Sequence, residues 1–313
     1  MEFQHIKNGD ITLRVAVQGE GPLILCVHGW PELWYSWRHQ MTYFSERGYR
    51  VAAMDVRGYG GSSKPVEISA YTLLELASDV AAVANALTDG PVILFGHDWG
   101  APVAWTTTLL HPQKIRALAL HSVPFRVATD VCLLDVFEAM YQDRFFYQLY
   151  FQEEGVAEAE FEGDMQTAMK IVYLALSDGL ESDKPKGATF LEGANEPADY
   201  PSWMSAADLQ VYIDAHSQGG MRGPFNRYRA QRQDAIENTE LRGKRIQQPT
   251  CFIAGSLDPV RHFIPGMDMY AIAGVECDDF RGTTIIDDVG HWVQQQAPEQ
   301  TNAALDTFIN GLE

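Results

Sequence analysis

Apolar residues alternate with polar ones over Ile11-Thr12-Leu13-Arg14-Val15-Ala16-Val17-Gln18, whereas Leu23 to Val27, Arg50 to Asp55, Pro91 to Phe95 and Ala117 to Leu120 are short, nearly continuous apolar runs. Alternation predicts an edge strand, and continuous runs predict strands buried on both faces of a parallel sheet. Helical stretches lie between them, at Trp34 to Arg47, Leu73 to Leu87 and Ala101 to Leu110. Thr72 with Glu75 three residues on gives the second helix the spacing of a capping box. Strand and helix alternate through Leu120, which predicts an α/β fold with ligands at the carboxyl ends of its strands.

The alternation stops after Pro124-Phe125. Residues 126–245 are rich in helical periodicity and aromatics, with loop signals at Asp183-Lys184-Pro185-Lys186-Gly187 and Asn195-Glu196-Pro197. Strand patterns return at Pro249 to Gly255 and Thr283 to Ile286, and Leu305, Phe308, Ile309 and Leu312 give a last helix an apolar face behind Pro298. The expected organisation is a mostly parallel sheet flanked by helices, formed by 1–125 and 246–313, with an inserted helical cap at 126–245. No internal repeat or low-complexity tract interrupts it.

Composition narrows the partners. Among 313 residues, 42 acidic and 23 basic side chains give a formal charge of −19, which disfavours nucleic acid or an anionic membrane as partner. Cys26, Cys132, Cys251 and Cys277 show no metal-site spacing and read as buried free thiols. Met1 to Lys7 lacks the apolar core of a signal peptide, and the charge-free stretch Trp99 to Gln113 is too short to span a bilayer. A reducing cytoplasm is the expected location.

The chemistry centres on Gly96-His97-Asp98-Trp99-Gly100, between the strand ending at Phe95 and the helix opening at Ala101. This is the frame of a nucleophile elbow, in which a sharp strand-to-helix turn lifts the central side chain above the sheet. Here that side chain is a carboxylate. A carboxylate attacks carbon to form an ester, which favours substrates with an electrophilic sp3 carbon, such as an epoxide or an alkyl halide. Breaking the ester needs a base, and His291 in Asp288-Val289-Gly290-His291-Trp292 follows the final strand. Asp258, in the loop after the Pro249 to Gly255 strand, is the expected orienting acid, ahead of Asp130, Asp287 and Asp288; nucleophile, acid, base is the chain order of this arrangement. The backbone N–H groups of Trp30, in His28-Gly29-Trp30-Pro31, and of Trp99 are the expected oxyanion hole. The glycine-bearing loop Asp55 to Ser62 reads as structural.

These residues resemble those of the α/β-hydrolase-fold epoxide hydrolases, most closely the hydrolase domain of the mammalian soluble enzyme. The resemblance covers nearly the whole chain. It rests on His28-Gly29-Trp30-Pro31-Glu32, Gly96 to Ala101, Gly290-His291-Trp292, and two cap segments, Tyr147 to Glu160 and Arg222 to Arg229. It implies conversion of epoxides to vicinal diols through an ester on Asp98, with water activated by His291 and Asp258 and with no metal or organic cofactor. It also implies two cap tyrosines that donate to the epoxide oxygen, matched here to Tyr147 and to Tyr212 in Leu209-Gln210-Val211-Tyr212. The cap holds seven tyrosines, at 141, 147, 150, 173, 200, 212 and 228, and residue type alone does not choose among them. An apolar substrate pocket is expected over Asp98, lined by Trp30, Pro31, Trp99 and Tyr150.

The mammalian enzyme carries an additional amino-terminal phosphatase domain, so no phosphatase activity is expected of this chain. A haloalkane dehalogenase shares an aspartate elbow, but would be expected to carry asparagine at the position of Trp30, and a fluoroacetate dehalogenase arginine at that of Trp99. A ligand-binding protein of the same fold without turnover is the other alternative. Preferred epoxide and oligomeric state are not encoded in any recognisable motif.

Overall fold

Strands of continuous apolar sequence pair in the middle of a single eight-stranded sheet, with order β1-β2-β4-β3-β5-β6-β7-β8. The strands are β1 (Glu2–Asn8), β2 (Ile11–Gln18), β3 (Leu23–Val27), β4 (Arg50–Met54), β5 (Val92–His97), β6 (Ile115–His121), β7 (Thr250–Gly255) and β8 (Phe280–Ile286). From β4 onward across the sheet every pairing is parallel, and β1 and β2 join antiparallel. The structure, a computed structural model, describes residues 1–177, 184–194, 196–264 and 266–312. Asp183 and Asn195, in the two loop signals, lie outside the described residues.

One expectation is corrected. β2 is not the edge strand, because the amino-terminal segment pairs outside it as β1 with seven residues in register. Only Ile6 of β1 is buried, while Glu2, Phe3, His5 and Lys7 are exposed, so its composition gave too weak an apolar pattern to be read as a strand.

Helices α1 (Arg38–Ser45), α2 (Leu73–Leu87) and α3 (Gly100–Leu110) cross between the strands. Leu76, Val80 and Val103 of α2 and α3 pack on one sheet face. Met41 and Phe44 of α1 pack on the other with the carboxyl-terminal helix that begins at Pro298. The Thr72 hydroxyl accepts the Glu75 amide at 3.4 Å and caps α2. The Glu75 carboxylate does not complete the reciprocal box, pairing instead with Arg57 at 3.1 Å. Arg57 also meets Asp79 at 2.7 Å, and Asp55 accepts from Arg14, Trp34 and Gly61, so the loop after β4 is a buried ionic brace.

Between β6 and β7 the chain forms α4 (Leu133–Met140), α5 (Tyr147–Tyr150), α6 (Val156–Gly163), α7 (Met165–Ser177), α8 (Ala206–Gly219), α9 (Arg222–Arg229) and α10 (Gln231–Glu237). Phe151, Phe161, Phe225 and Tyr228 from this insertion share one apolar cluster with Trp30 at the carboxyl end of the sheet. α11 (Val293–Gln296) and α12 (Pro298–Asn310) close the fold. All four cysteines are free and buried. Among the described residues no helix is long and apolar enough to cross a membrane.

Candidate active site

The turn from β5 into α3 places Asp98 at φ 50°, a left-handed conformation rare for a residue with a side chain. Close packing beneath explains the glycine that follows, since a Cβ on Gly100 would stand 2.1 Å from the Val27 carbonyl oxygen. The strain leaves the Asp98 carboxylate at the carboxyl edge of the sheet. Its Oδ1 accepts the Trp30 amide at 2.7 Å. Gly29 lies directly against it, for a Cβ there would be 2.3 Å from Oδ1 and 2.6 Å from the Trp99 nitrogen. The Trp30 amide therefore holds this oxygen, and the Trp99 nitrogen lies close beside the same glycine.

His291 reaches this carboxylate from the loop after β8. Its Nε2 lies 3.5 Å from Asp98 Oδ2, and its Nδ1 lies 3.1 Å from both oxygens of Asp258. Asp258, in the loop after β7, is fixed in turn by the Val260 amide at 3.0 Å. Burial would by itself raise the Asp258 pKa, but the charge and hydrogen bond of His291 outweigh it and the net direction is down. Burial would also discharge His291, yet Asp258 and then Asp98 overcome it, raising its pKa to about 10. His291 thus sits between two carboxylates that both favour its charged form.

A second buried pair fastens the two loops together. His97 Nδ1 lies 2.6 Å from Glu32 Oε2 and its Nε2 donates to the His291 carbonyl at 2.8 Å. Glu32 also accepts from the Gly29 amide at 3.1 Å and from Gln294 and Gln295 at 2.9 and 3.2 Å. Burial opposes its charge, but His97 and these donors pull its pKa down to about 2. In the sequence Glu32 and His97 stand only inside the two motifs, and their pairing is a contact between residues far apart in the chain.

The tyrosines divide differently from expectation. Tyr147 on α5 is half-buried; desolvation and then the Asp98 charge drive its pKa up, and Gln148 donates to its oxygen at 3.1 Å. Tyr212 on α8 is not brought to Asp98: its hydroxyl donates to Gln295 Oε1 at 2.9 Å and meets the Ser36 hydroxyl at 2.9 Å. A phenol has one proton, and Tyr212 gives it to Gln295. Tyr228 on α9, not Tyr212, is the second tyrosine packed beside Tyr147. Its ring is 5.8 Å from those of Tyr147 and Trp30 and 5.4 Å from that of Trp99. Burial, then Tyr147, then Asp98 raise its pKa. The signal was present in the segment Arg222 to Arg229, which contains it. Tyr150, expected in the pocket, turns its hydroxyl to Glu160 at 2.8 Å, and the Pro31 carbonyl accepts from His216 at 2.8 Å.

The strained Asp98, the Trp30 amide on its Oδ1 and the His291–Asp258 pair meet in one place, an arrangement able to supply a nucleophile, an oxyanion donor and a base. The sequence matches the alpha/beta hydrolase fold family over residues 22–298. Epoxide hydrolase A of Mycobacterium tuberculosis is 37% identical over 98% of this chain and 97% of its own length. The chain belongs to the epoxide hydrolases of the α/β-hydrolase fold. A solved epoxide hydrolase from an endophytic Streptomyces superposes with TM-score 0.94 at 35% identity, covering 99% of this chain and 96% of that one. The resemblance to the mammalian enzyme also holds, since bifunctional epoxide hydrolase 2 of Sus scrofa is 33% identical over 96% of this chain and 53% of its own length. In this epoxide hydrolase, aromatic side chains of the helical insertion pack on Trp30 at the carboxyl edge of the sheet.

Proposed function

We propose that Asp98 opens an epoxide by forming an ester at one ring carbon while Tyr147 and Tyr228 donate to the departing oxygen. The observation that carries this reading is His291 set between Asp98 and Asp258, with the Trp30 amide on the other Asp98 oxygen. Atoms and charges balance over two steps. In the first, the Asp98 oxygen bonds carbon, the ring C–O bond breaks, and the alkoxide is protonated by a tyrosine whose proton is replaced from the His291 imidazolium. Esterification removes the charge of Asp98, so His291 loses one of the carboxylates that held its proton. In the second, neutral His291 takes a proton from water, hydroxide adds to the ester carbonyl, and the amides of Trp30 and Trp99 hold the oxyanion. Collapse frees the diol and restores Asp98 and the imidazolium. Epoxide, water and these side chains supply every atom required.

The cap is assigned to 126–245, and Trp30, Pro31 and Trp99 with Tyr147 and Tyr228 are assigned to the pocket wall. Tyr150 is placed outside the reacting centre. Four buried thiols support a reducing cytoplasmic location.

Incubation with styrene oxide and with chloroalkanes, following diol and halide, tests the leaving group. Diol from the epoxide is expected; halide release without diol would overturn the reading, and no turnover of a broad epoxide panel would favour a binding protein. A single turnover in oxygen-18 water with enzyme in excess tests the ester. Unlabelled diol should dominate, because its new oxygen comes from Asp98, whereas fully labelled diol would indicate direct attack by water.

A further inference from the structure

Arg227 precedes Tyr228 on α9 and is a buried cation, only 2% exposed. One end of its guanidinium donates to the Tyr71 carbonyl and the other to the Asp234 carboxylate. Asp234 also accepts the amide of Leu73 at 2.7 Å, which anchors the ion pair to the start of α2 in the sheet domain. The preceding residue of α9, Asn226, is also tied to the core, donating to the Val66 carbonyl at 3.1 Å. α9 is thereby held on the core and carries Tyr228 with it.

The face of this cation is directed at the nucleophile elbow. Its Cζ lies 4.7 Å from the centre of the Trp99 ring, the residue after Asp98. The Trp99 ring meets Tyr228 edge-on at 5.4 Å and 84°, and the Trp99 side chain works against the burial that raises the Tyr228 pKa. A cation over an aromatic face draws density from the ring and makes an N–H on that ring a stronger donor. Burial of Arg227 keeps water from screening the effect.

We propose that Arg227 is a positioning residue for ring opening: stacked on Trp99, it strengthens the indole N–H as a donor to Tyr228. Tyr228 then parts more readily with the proton that the opening epoxide oxygen takes as the Asp98–carbon bond forms and the ring C–O bond breaks. This rests on the assignment of Tyr228 as one of the two acids. Asp234 balances the charge and fixes the guanidinium plane, and Arg227 itself touches no reacting atom.

A purely mechanical strut would take Tyr228 away with α9 and make R227M match Y228F, whereas assistance to the acid leaves R227M well above Y228F and matters most where the departing oxygen is most basic. The test compares 1,2-epoxypropane with its trifluoromethyl counterpart, whose opened alkoxide is much less basic. Ester formation on the enzyme is followed by rapid quench and mass spectrometry with enzyme in excess. In R227M, ring opening should fall about tenfold for 1,2-epoxypropane, the scale of a desolvated cation–π contact. It should fall far less for the trifluoromethyl compound, with ester hydrolysis unchanged. R227K, which keeps the charge without the flat stack, should lie between, and it carries the same comparison if R227M does not fold. Equal losses for both epoxides, no loss for either, or an R227M as slow as Y228F would overturn the proposal. Y228F separates the underlying assignment: if it opens 1,2-epoxypropane at the wild-type rate, Tyr228 is not an acid and the reading beneath the proposal fails instead.

Discussion

The rings of Tyr147 and Tyr228 lie 5.8 Å apart at an interplanar angle of 80°, and the charge of Asp98 bears on both phenols. They come from separate helices, α5 and α9, so two parts of the insertion bring their phenols side by side. Replacing Tyr228 with phenylalanine should slow ring opening about 10- to 100-fold, the range for loss of part of a general-acid contribution. Tyr212→Phe should leave ring opening in place and cost about 1 kcal/mol of stability through the lost bond to Gln295. Single-turnover ester formation and thermal unfolding of the two variants check this, and a greater loss of ring opening in Tyr212→Phe would reverse the assignment.

Much of the site was legible because it is local. The elbow at Asp98, the histidine after the last strand and the acid after β7 each follow from a strand end plus chain order, and His291 meets Asp258 at 3.1 Å. α2 was equally readable, since Thr72 and an apolar periodicity mark its start. What escaped depends on long-range placement. Tyr212 and Tyr228 both sit on helices of similar character, and only packing shows that one faces Gln295 and the other Asp98. The Glu32–His97 pair joins positions 65 residues apart, a contact that neither residue's neighbours in sequence foretell. β1 was missed for the opposite reason: an exposed edge strand needs little apolar sequence when its backbone is satisfied by pairing with β2.

Replacing His291 with glutamine should separate the two steps. Asp98 and both tyrosines remain, so the ester still forms, more slowly without the His291 proton, but no base is left to activate water. After mixing with styrene oxide, the intact protein should gain the mass of one epoxide, with hydrolysis slowed at least about 100-fold. Peptide mapping should place the added mass on Asp98. Normal turnover with no adduct would mean that another group is the base.

Gly29 should tolerate no side chain. A Cβ there would stand 2.3 Å from Asp98 Oδ1 and 2.6 Å from the Trp99 nitrogen, so Gly29→Ala must displace the nucleophile or open the amide cradle. Losing one oxyanion donor costs about 10²- to 10³-fold in rate, and a fall of at least about 100-fold in diol formation is expected for this variant. Circular dichroism should still show the fold. Near-normal kcat in a folded Gly29→Ala protein would exclude the proposed cradle.

The charge on His291 gives the two steps opposite dependence on pH. In the free enzyme its pKa is raised to about 10 despite burial, because Asp258 and Asp98 hold the proton. Ring opening, which draws on that proton, should hold steady through neutral pH and decline above about 10. Once Asp98 is esterified its charge is gone, so the pKa of His291 falls below that of the free enzyme. Hydrolysis of the ester needs neutral His291 and should therefore rise with pH through this lower value. Quenching steady-state mixtures at a series of pH values should reveal more ester as pH falls, and an ester fraction that is flat or grows with pH would overturn the scheme. The same shift has a consequence for stability. His291 has an ordinary pKa of 6.5 when unfolded and about 10 when folded, so its contribution is complete below 6.5 and is lost as pH rises toward 10. The wild-type Tm should accordingly fall more steeply across that window than the Tm of His291→Gln, which has no imidazolium to lose.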